Sequence, residues 1–266
     1  MKKGYINTAQ GQLHYLTQGS GSPLVLCHQS PNCSRMFTAA IPELAARGFR
    51  VIAIDTPGHG ESTPPASEPS IEFYAAQLLE GLQQLGVDTF HLLGHHTGAA
   101  IACAMAVAAP ERVCSLVLNG PPLFSEEVRA QRRSGSGLRV VPQEGGAHLQ
   151  DIWDLRKRVT PGWTNLAAMH RGVVDLLRCG PCAHQGHAAV YRYDMRAALL
   201  SLSVPTLILT NTGEDLYTHS QQAYQLRDKD FSFYELSGGT HDIVDEQPVA
   251  WAKAVADFAS EPVQDA

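Results

Sequence analysis

A chain of 266 residues, 44% apolar and 17% charged, is long enough for one large α/β domain with an insertion or for two small domains, and it buries a real core. A net charge of -6 removes the electrostatic case for binding nucleic acid or an anionic membrane. No apolar run approaches the roughly 18 residues that a membrane span needs, and the lysines of Met1-Lys2-Lys3-Gly4-Tyr5 have no apolar segment behind them, so neither signal peptide nor membrane partner is expected. The six cysteines, at 27, 33, 103, 114, 179 and 182, are scattered, which fits free thiols and a cytoplasmic location.

Residues 4–18 read as two short strands around the turn-like Gln10-Gly11-Gln12. A continuous apolar run at 24–27 predicts a strand buried on both faces, and it ends in His28-Gln29-Ser30-Pro31. Residues 36–47 are helical in pattern and close at Gly48, and 51–54 form a second buried strand leading into Asp55-Thr56-Pro57-Gly58-His59-Gly60-Glu61-Ser62. Ser70 is the expected N-cap of an amphipathic helix running to about Leu85, with Phe73, Ala76, Leu79 and Leu82 on one face. A short apolar run then ends in Gly94-His95-His96-Thr97-Gly98, followed by a helix of small residues up to Ala109 and a strand over 113–118. From about 122 to 200 the strand–helix alternation stops. Helical stretches are expected near 125–132, 147–158, 163–178 and 185–198, separated by Ser134-Gly135-Ser136-Gly137, Glu144-Gly145-Gly146 and Pro161-Gly162. Strands resume at 205–210 and 231–236, and the tail from 261 to 266 is expected to fray. Repeated units with non-alternating strands predict a parallel, doubly wound sheet.

Gly-x-His-x-Gly after a strand and before a small-residue helix has the shape of a nucleophile elbow, in which a sharp strand-to-helix turn lifts one side chain above the sheet. Together with His28-Gln29-Ser30-Pro31 and the Asp55–Ser62 loop, this motif makes the chain resemble the α/β-hydrolase superfamily over nearly all its length. Within it the chain resembles a bacterial subgroup of candidate hydrolases in which His replaces the elbow Ser. The resemblance implies a mostly parallel sheet with an inserted α-helical cap, the core being 1–121 and 201–266 and the cap 122–200. It implies oxyanion donors at the backbone N–H groups of Ser30 and Thr97. It also implies an acid in the loop Asn211-Thr212-Gly213-Glu214-Asp215, Asp215 being preferred and Glu214 the lesser candidate. The base falls in Gly238-Gly239-Thr240-His241-Asp242, at His241, and the acid would hold its imidazole tautomer. Gln29 stands where the family has Gly.

The elbow residue itself, His96, has several readings. It acts with His241, either as a nucleophile forming an acyl-imidazole or as a second acid–base group; two adjacent imidazoles disfavour double protonation, so one pKa should fall. Alternatively it polarises a ligand in a cofactor-free, lyase-type reaction, or it remains in a protein that binds without turnover. A metal held by His28, His96 and His241 is a lesser alternative, because the resemblance implies that His28 points away to support its loop, and so is a zinc on the Cys179-Gly180-Pro181-Cys182-Ala183-His184-Gln185-Gly186-His187 spacing, because Pro181 and Gly186 already account for a turn; no metal is the expectation. His28, Gln29, His95, Trp153 and Trp163 are the candidate pocket residues. The resulting expectation is a hydrolase-like enzyme without cofactor, acting on a small organic ester, lactone or carbonyl compound through His96, Asp215 and His241. A small-molecule substrate is the expected partner, and oligomeric state is left open.

Overall fold

The computed structural model describes residues 1–133 and 138–260, so the expected loop at 134–137 and the tail at 261–266 lie outside the described residues. Eight strands form a single sheet: β1 (Lys2–Thr8), β2 (Gly11–Gln18), β3 (Ser22–Cys27), β4 (Phe49–Ile54), β5 (Phe90–His95), β6 (Val113–Asn119), β7 (Thr206–Asn211) and β8 (Phe231–Leu236). Their order is β1-β2-β4-β3-β5-β6-β7-β8. β2 runs antiparallel to β1 and β4, and all other neighbours are parallel.

The central strands are apolar on both faces because helices cover both. Val25 and Cys27 of β3 point into a core shared with helices Ile71–Gln84 and Thr97–Ala108. Leu24 and Leu26 of the same strand point the other way, toward helices Ile41–Ala46 and Pro248–Ala259. Ser70 caps its helix as expected, accepting from Phe73 N–H at 3.1 Å. The buried face of that helix is Ile71, Tyr74, Ala75, Leu78 and Leu82, whereas Ala76 is exposed and Phe73 and Leu79 are half-buried. The expected face is thus rotated by about one position, since i, i+3, i+4, i+7 counts from Ile71. The helix expected over 36–47 is a 3₁₀ turn at Ser34–Phe37 followed by a short helix, Ile41–Ala46.

Between β6 and β7 the chain is helical: Glu126–Arg133, Ala147–Val159, Leu166–Cys179, Gln185–Arg192 and Met195–Ser201. The single stretch expected over 185–198 is two helices, because Tyr193 is extended and Asp194 starts a new helix by accepting from Ala197 N–H at 3.1 Å. Val140, Ile152, Val173, Leu176, Cys179 and Ala183 give this helical insertion a small core of its own. It lies over the ends of the strands, where His96 emerges. Among the described residues, no helix is long and apolar enough to cross a membrane.

Candidate active site

The elbow forms where the sequence places it. β5 ends at His95 and the next helix starts at Thr97, which leaves His96 alone at φ 50°, ψ -110°. It is the one non-glycine residue at positive φ among the described residues, a strain of about 1–3 kcal/mol that surrounding structure must impose. The imposing contacts are backbone on backbone. A Cβ on Gly94 would stand 2.0 Å from the Gly98 carbonyl oxygen, and one on Gly98 would stand 2.1 Å from that of Cys27. Only glycine allows strand, turn and helix to pass this closely.

His96 Nε2 lies 2.7 Å from Glu214 Oε2, and Thr210 Oγ1 donates to the other carboxylate oxygen at 2.5 Å. Gly120 makes room for the pair, since a Cβ there would meet the His96 ring at 2.4 Å and Glu214 Oε2 at 2.7 Å. Burial by itself disfavours the imidazolium, but the Glu214 hydrogen bond and charge outweigh it and hold the His96 pKa above its ordinary value. Burial likewise favours a neutral Glu214; the His96 and Thr210 hydrogen bonds outweigh that and hold its carboxyl below the usual range. Both shifts describe one imidazolium–carboxylate pair, its carboxylate buried and its ring half-buried.

The expected pairing of Asp215 with His241 does not form. Asp215 is exposed at the rim of the cavity and holds no hydrogen bond among the described residues. The loop closes through Glu214 N–H to the Asn211 carbonyl at 3.3 Å, and Glu214, the lesser candidate, is the buried carboxylate. His241 is instead tied to the helical insertion: Arg156 Nη1 donates to its Nε2 at 3.1 Å, and Arg156 Nη2 donates to Asp242. A guanidinium can only donate, so that Nε2 carries a lone pair and the ring is neutral. Burial, together with the charges of Arg156 and His96, pushes the His241 pKa down against the pull of Asp242. The rings of His96 and His241 are 6.3 Å apart. The expectation that one of two neighbouring imidazoles loses its proton thus falls on His241, while Glu214 keeps the other charged.

His95 stands behind His96 rather than in the pocket. It is fully buried and its ring stacks on that of His96 at 4.4 Å and 2°. Asn119 Oδ1 accepts from Trp251 Nε1–H at 2.7 Å, which fixes the amide, and His95 Nδ1 meets the same oxygen at 2.8 Å. His95 Nε2 stands 2.9 Å from the His241 carbonyl oxygen, and a neutral ring has one N–H to give to one of the two oxygens. Burial and the neighbouring His96 charge push its pKa down to about 4. His28 also points away. Its Nδ1 meets the Gln29 carbonyl at 2.9 Å and its Nε2 accepts from Thr56 N–H at 3.0 Å, which supports the loop after β4 and keeps it far from a shared metal with His96 and His241.

A cavity of about 330 Å³ opens on His96 and His241, with Gln29, Ser30, Asn32 and Arg156 on its polar side. Its apolar wall is Leu138, Leu155, Val159 and Leu176, all from the insertion. Trp153 and Trp163 are not in this lining: Trp153 packs against the insertion core and Trp163 follows a turn closed on Thr160. A second hollow of about 100 Å³ continues past His96 to Thr97, Phe124 and Tyr191. Neither Ser30 N–H nor Thr97 N–H takes a protein acceptor among the described residues, and the latter sits at a helix N-terminus, where the dipole favours negative charge. The Cys179–His187 segment diverges: Cys179 Sγ donates to the Pro31 carbonyl at 3.2 Å, His184 Nδ1 turns to the Pro181 carbonyl, and His187 faces the cavity. All six cysteines are free thiols. Two contributions had no marker in the sequence reading. Arg156 looks like one more basic residue late in a helix, and Gly120 follows a strand as many glycines do.

Comparison with known proteins agrees with this architecture. Over 127 residues the chain is 37% identical to bifunctional epoxide hydrolase 2 of Rattus norvegicus, covering 46% of this chain and 22% of that protein. Over 129 residues it is 33% identical to haloalkane dehalogenase 2 of Mycobacterium tuberculosis, covering 48% and 45%. These matches span less than half of each curated relative. Among solved structures, a bromoperoxidase from Bacillus anthracis superposes with a TM-score of 0.82 at 19% identity, over 98% of this chain and 100% of that one. The enol-lactonase from Burkholderia xenovorans LB400 gives 0.74 at 23%, over 97% and 100%. At such identities these likenesses speak for the fold alone. The family model described as alpha/beta hydrolase fold matches residues 22–248, and the chain belongs to that family.

Proposed function

We propose that this chain is a cofactor-free hydrolase acting on a small organic ester, lactone or carbonyl compound, with His96 at the elbow as its central acid–base group. The observation that carries the reading is the His96–Glu214 pair at 2.7 Å, set in a strained elbow and opening on a cavity of about 330 Å³. Residues 1–121 and 201–266 serve as the core and 122–200 as the cap that closes the cavity from water. The relatives named as an epoxide hydrolase, a haloalkane dehalogenase and an (E)-2-((N-methylformamido)methylene)succinate hydrolase support hydrolysis of small organic molecules. Free thiols and the want of a membrane-spanning helix among the described residues accord with a cytoplasmic enzyme.

The proposed roles are these. Nε2–H of His96 donates to Glu214, which orients the ring and stabilises its charged form. Nδ1 is then the nitrogen left for substrate. As an imidazolium it can give a proton to a leaving oxygen. The N–H groups of Thr97 and Ser30 would hold the oxygen that becomes negative when the carbonyl is attacked. His241, its lone pair engaged by Arg156, forms the wall and keeps the loop in place.

Turnover of p-nitrophenyl acetate and a lactone panel tests this. The wild type should hydrolyse at least one member, and His96→Gln and Glu214→Gln should each lose most of that rate. Saturable ligand binding with no turnover on any member would replace the hydrolase reading with that of a non-catalytic binding protein.

A further inference from the structure

We propose that His187, presented by the cap helix Gln185–Arg192, is the general base that takes the proton from the attacking water. The assignment rests on the hydrolase reading above. It starts from a gap in the site: a charged His96 can give a proton but not take one, and the lone pair of His241 Nε2 already accepts from Arg156. His187 is the remaining imidazole in the cavity. It lines both the larger hollow and the smaller one, as His96 does, so the two rings share the space where a substrate would lie. Its ring makes no hydrogen bond to protein among the described residues.

Its place is fixed by the residue before it. A Cβ on Gly186 would stand 1.9 Å from Ser30 Oγ and 3.4 Å from Thr97 Cγ2. The cap helix therefore seats its N-terminal turn against the side chains of Ser30 and Thr97, and the next residue, His187, lines the same hollows as His96. The charged and titratable groups around it are His96 at the elbow, Asp215 in the acid loop, His241 after β8, Arg132 of the helix Glu126–Arg133 and His59 of the loop after β4. Burial, then the His96 and Arg132 charges, push its pKa down to about 4, so it is neutral when His96 is charged. Two groups of one kind whose surroundings push them apart are the usual basis of an acid–base assignment.

The step balances. The water oxygen bonds to the carbonyl carbon and one water proton passes to a ring nitrogen of His187. The carbonyl π pair moves to oxygen, held by the Thr97 and Ser30 N–H groups. On collapse the bond from carbon to the alcohol oxygen breaks, its electron pair leaves with that oxygen, and the oxygen takes the proton from His96 Nδ1. Acid and alcohol depart, and the proton on His187 returns to His96 through solvent.

The test is His187→Gln in the full chain, on whichever ester or lactone the wild type turns over. The expected result is a loss of about 100-fold or more in kcat, with KM little changed, disappearance of the acidic limb of the pH profile, and partial recovery with added imidazole. A variant within about threefold of wild type and with that limb intact overturns the assignment while leaving the hydrolase reading standing. A wild type inactive on the whole panel removes both. Nitrogen-15 NMR of the histidine rings gives an independent measure should the variant fold poorly. His187 in the wild type should stay neutral down to about pH 5 and its pKa should rise in His96→Gln, whereas ordinary titration near 6.5 that ignores His96 would also overturn the proposal.

Discussion

The acid-loop carboxylate of Glu214 reaches the elbow imidazole of His96, at 2.7 Å, rather than the imidazole that follows the last strand. This relocation changes what each group can do. An acid paired with the His241 ring would make that ring a base for an elbow nucleophile. Paired with His96 it favours the charged form of a half-buried elbow residue, stacked on His95 and facing the cavity.

Glu214→Gln should therefore destabilise the fold by about 1.5–3 kcal/mol, the worth of a hydrogen bond to a charged group. The sign with pH follows from the two shifts. His96 is raised, so its contribution is complete below about 6.5 and is lost as pH rises through its folded value. Glu214 is lowered, so its contribution is complete above about 4.3 and is lost as pH falls through its folded value. Denaturant unfolding over a pH series should show the largest wild-type advantage between those limits. Asp215→Asn, which removes an exposed charge, should change stability by less than about 0.5 kcal/mol; equal losses in the two variants would mean that the acid has been misassigned.

Gly120→Ala tests the same pair from the outside. The added methyl would lie 2.4 Å from His96 Cδ2 and 2.7 Å from Glu214 Oε2, at a backbone φ of 61°. The positive φ alone costs about 1–3 kcal/mol for a non-glycine residue, and the imidazole must also move off its carboxylate. Thermal unfolding should show the loss, and ring NMR should show His96 reverting toward an ordinary pKa. A variant with wild-type Tm and an unmoved His96 signal would show that the ring has room the geometry denies it.

Much of the fold and part of this site were legible in the sequence, for physical reasons that differ by residue. Gly94 and Gly98 could be read because two backbones in contact exclude every other side chain, so spacing and identity both carried information. Ser70 could be read because an N-cap is a local hydrogen bond, whereas the cap at Asp194 was passed over inside the single helix expected over 185–198. Asp215 was preferred to Glu214, and the structure turns the other way: they are adjacent carboxylates, and a turn closed by one hydrogen bond decides which points inward. Arg156 was hidden for another reason. It lies 85 residues from His241 in sequence, on a helix whose pattern only reports the insertion's own packing.

Arg156→Met should have two separate consequences. Asp242 would be left buried without its guanidinium, with Gln29 Nε2 at 3.4 Å and His241 Nε2 at 3.5 Å beside it, and loss of one partner of such a pair costs about 3–5 kcal/mol. The His241 pKa should rise, because the guanidinium is among the charges that hold it down and its donor occupies the Nε2 lone pair. Ring NMR of the variant measures the second effect directly. A His241 that titrates as in the wild type would show that burial alone sets its state and that Arg156 does not govern it.

His96→Ser asks whether a serine hydrolase can be restored, and the arrangement argues that one substitution is not enough. A serine at the elbow needs an imidazole lone pair within reach. In this chain Glu214 would be left facing a hydroxyl with no ring between them, and the His241 lone pair accepts from Arg156. The single variant should therefore resist fluorophosphonate, as should the wild type, which has no elbow hydroxyl. His96→Ser combined with Arg156→Met frees Nε2 of His241 and should be labelled faster than either parent, although Asp215 is exposed and holds no hydrogen bond to the ring among the described residues, so the rate should stay low. Intact mass spectrometry after a timed exposure separates the cases. Rapid adduct formation in His96→Ser alone would show that His241 is available despite its guanidinium, and it would return the role of base from the cap to the loop after β8.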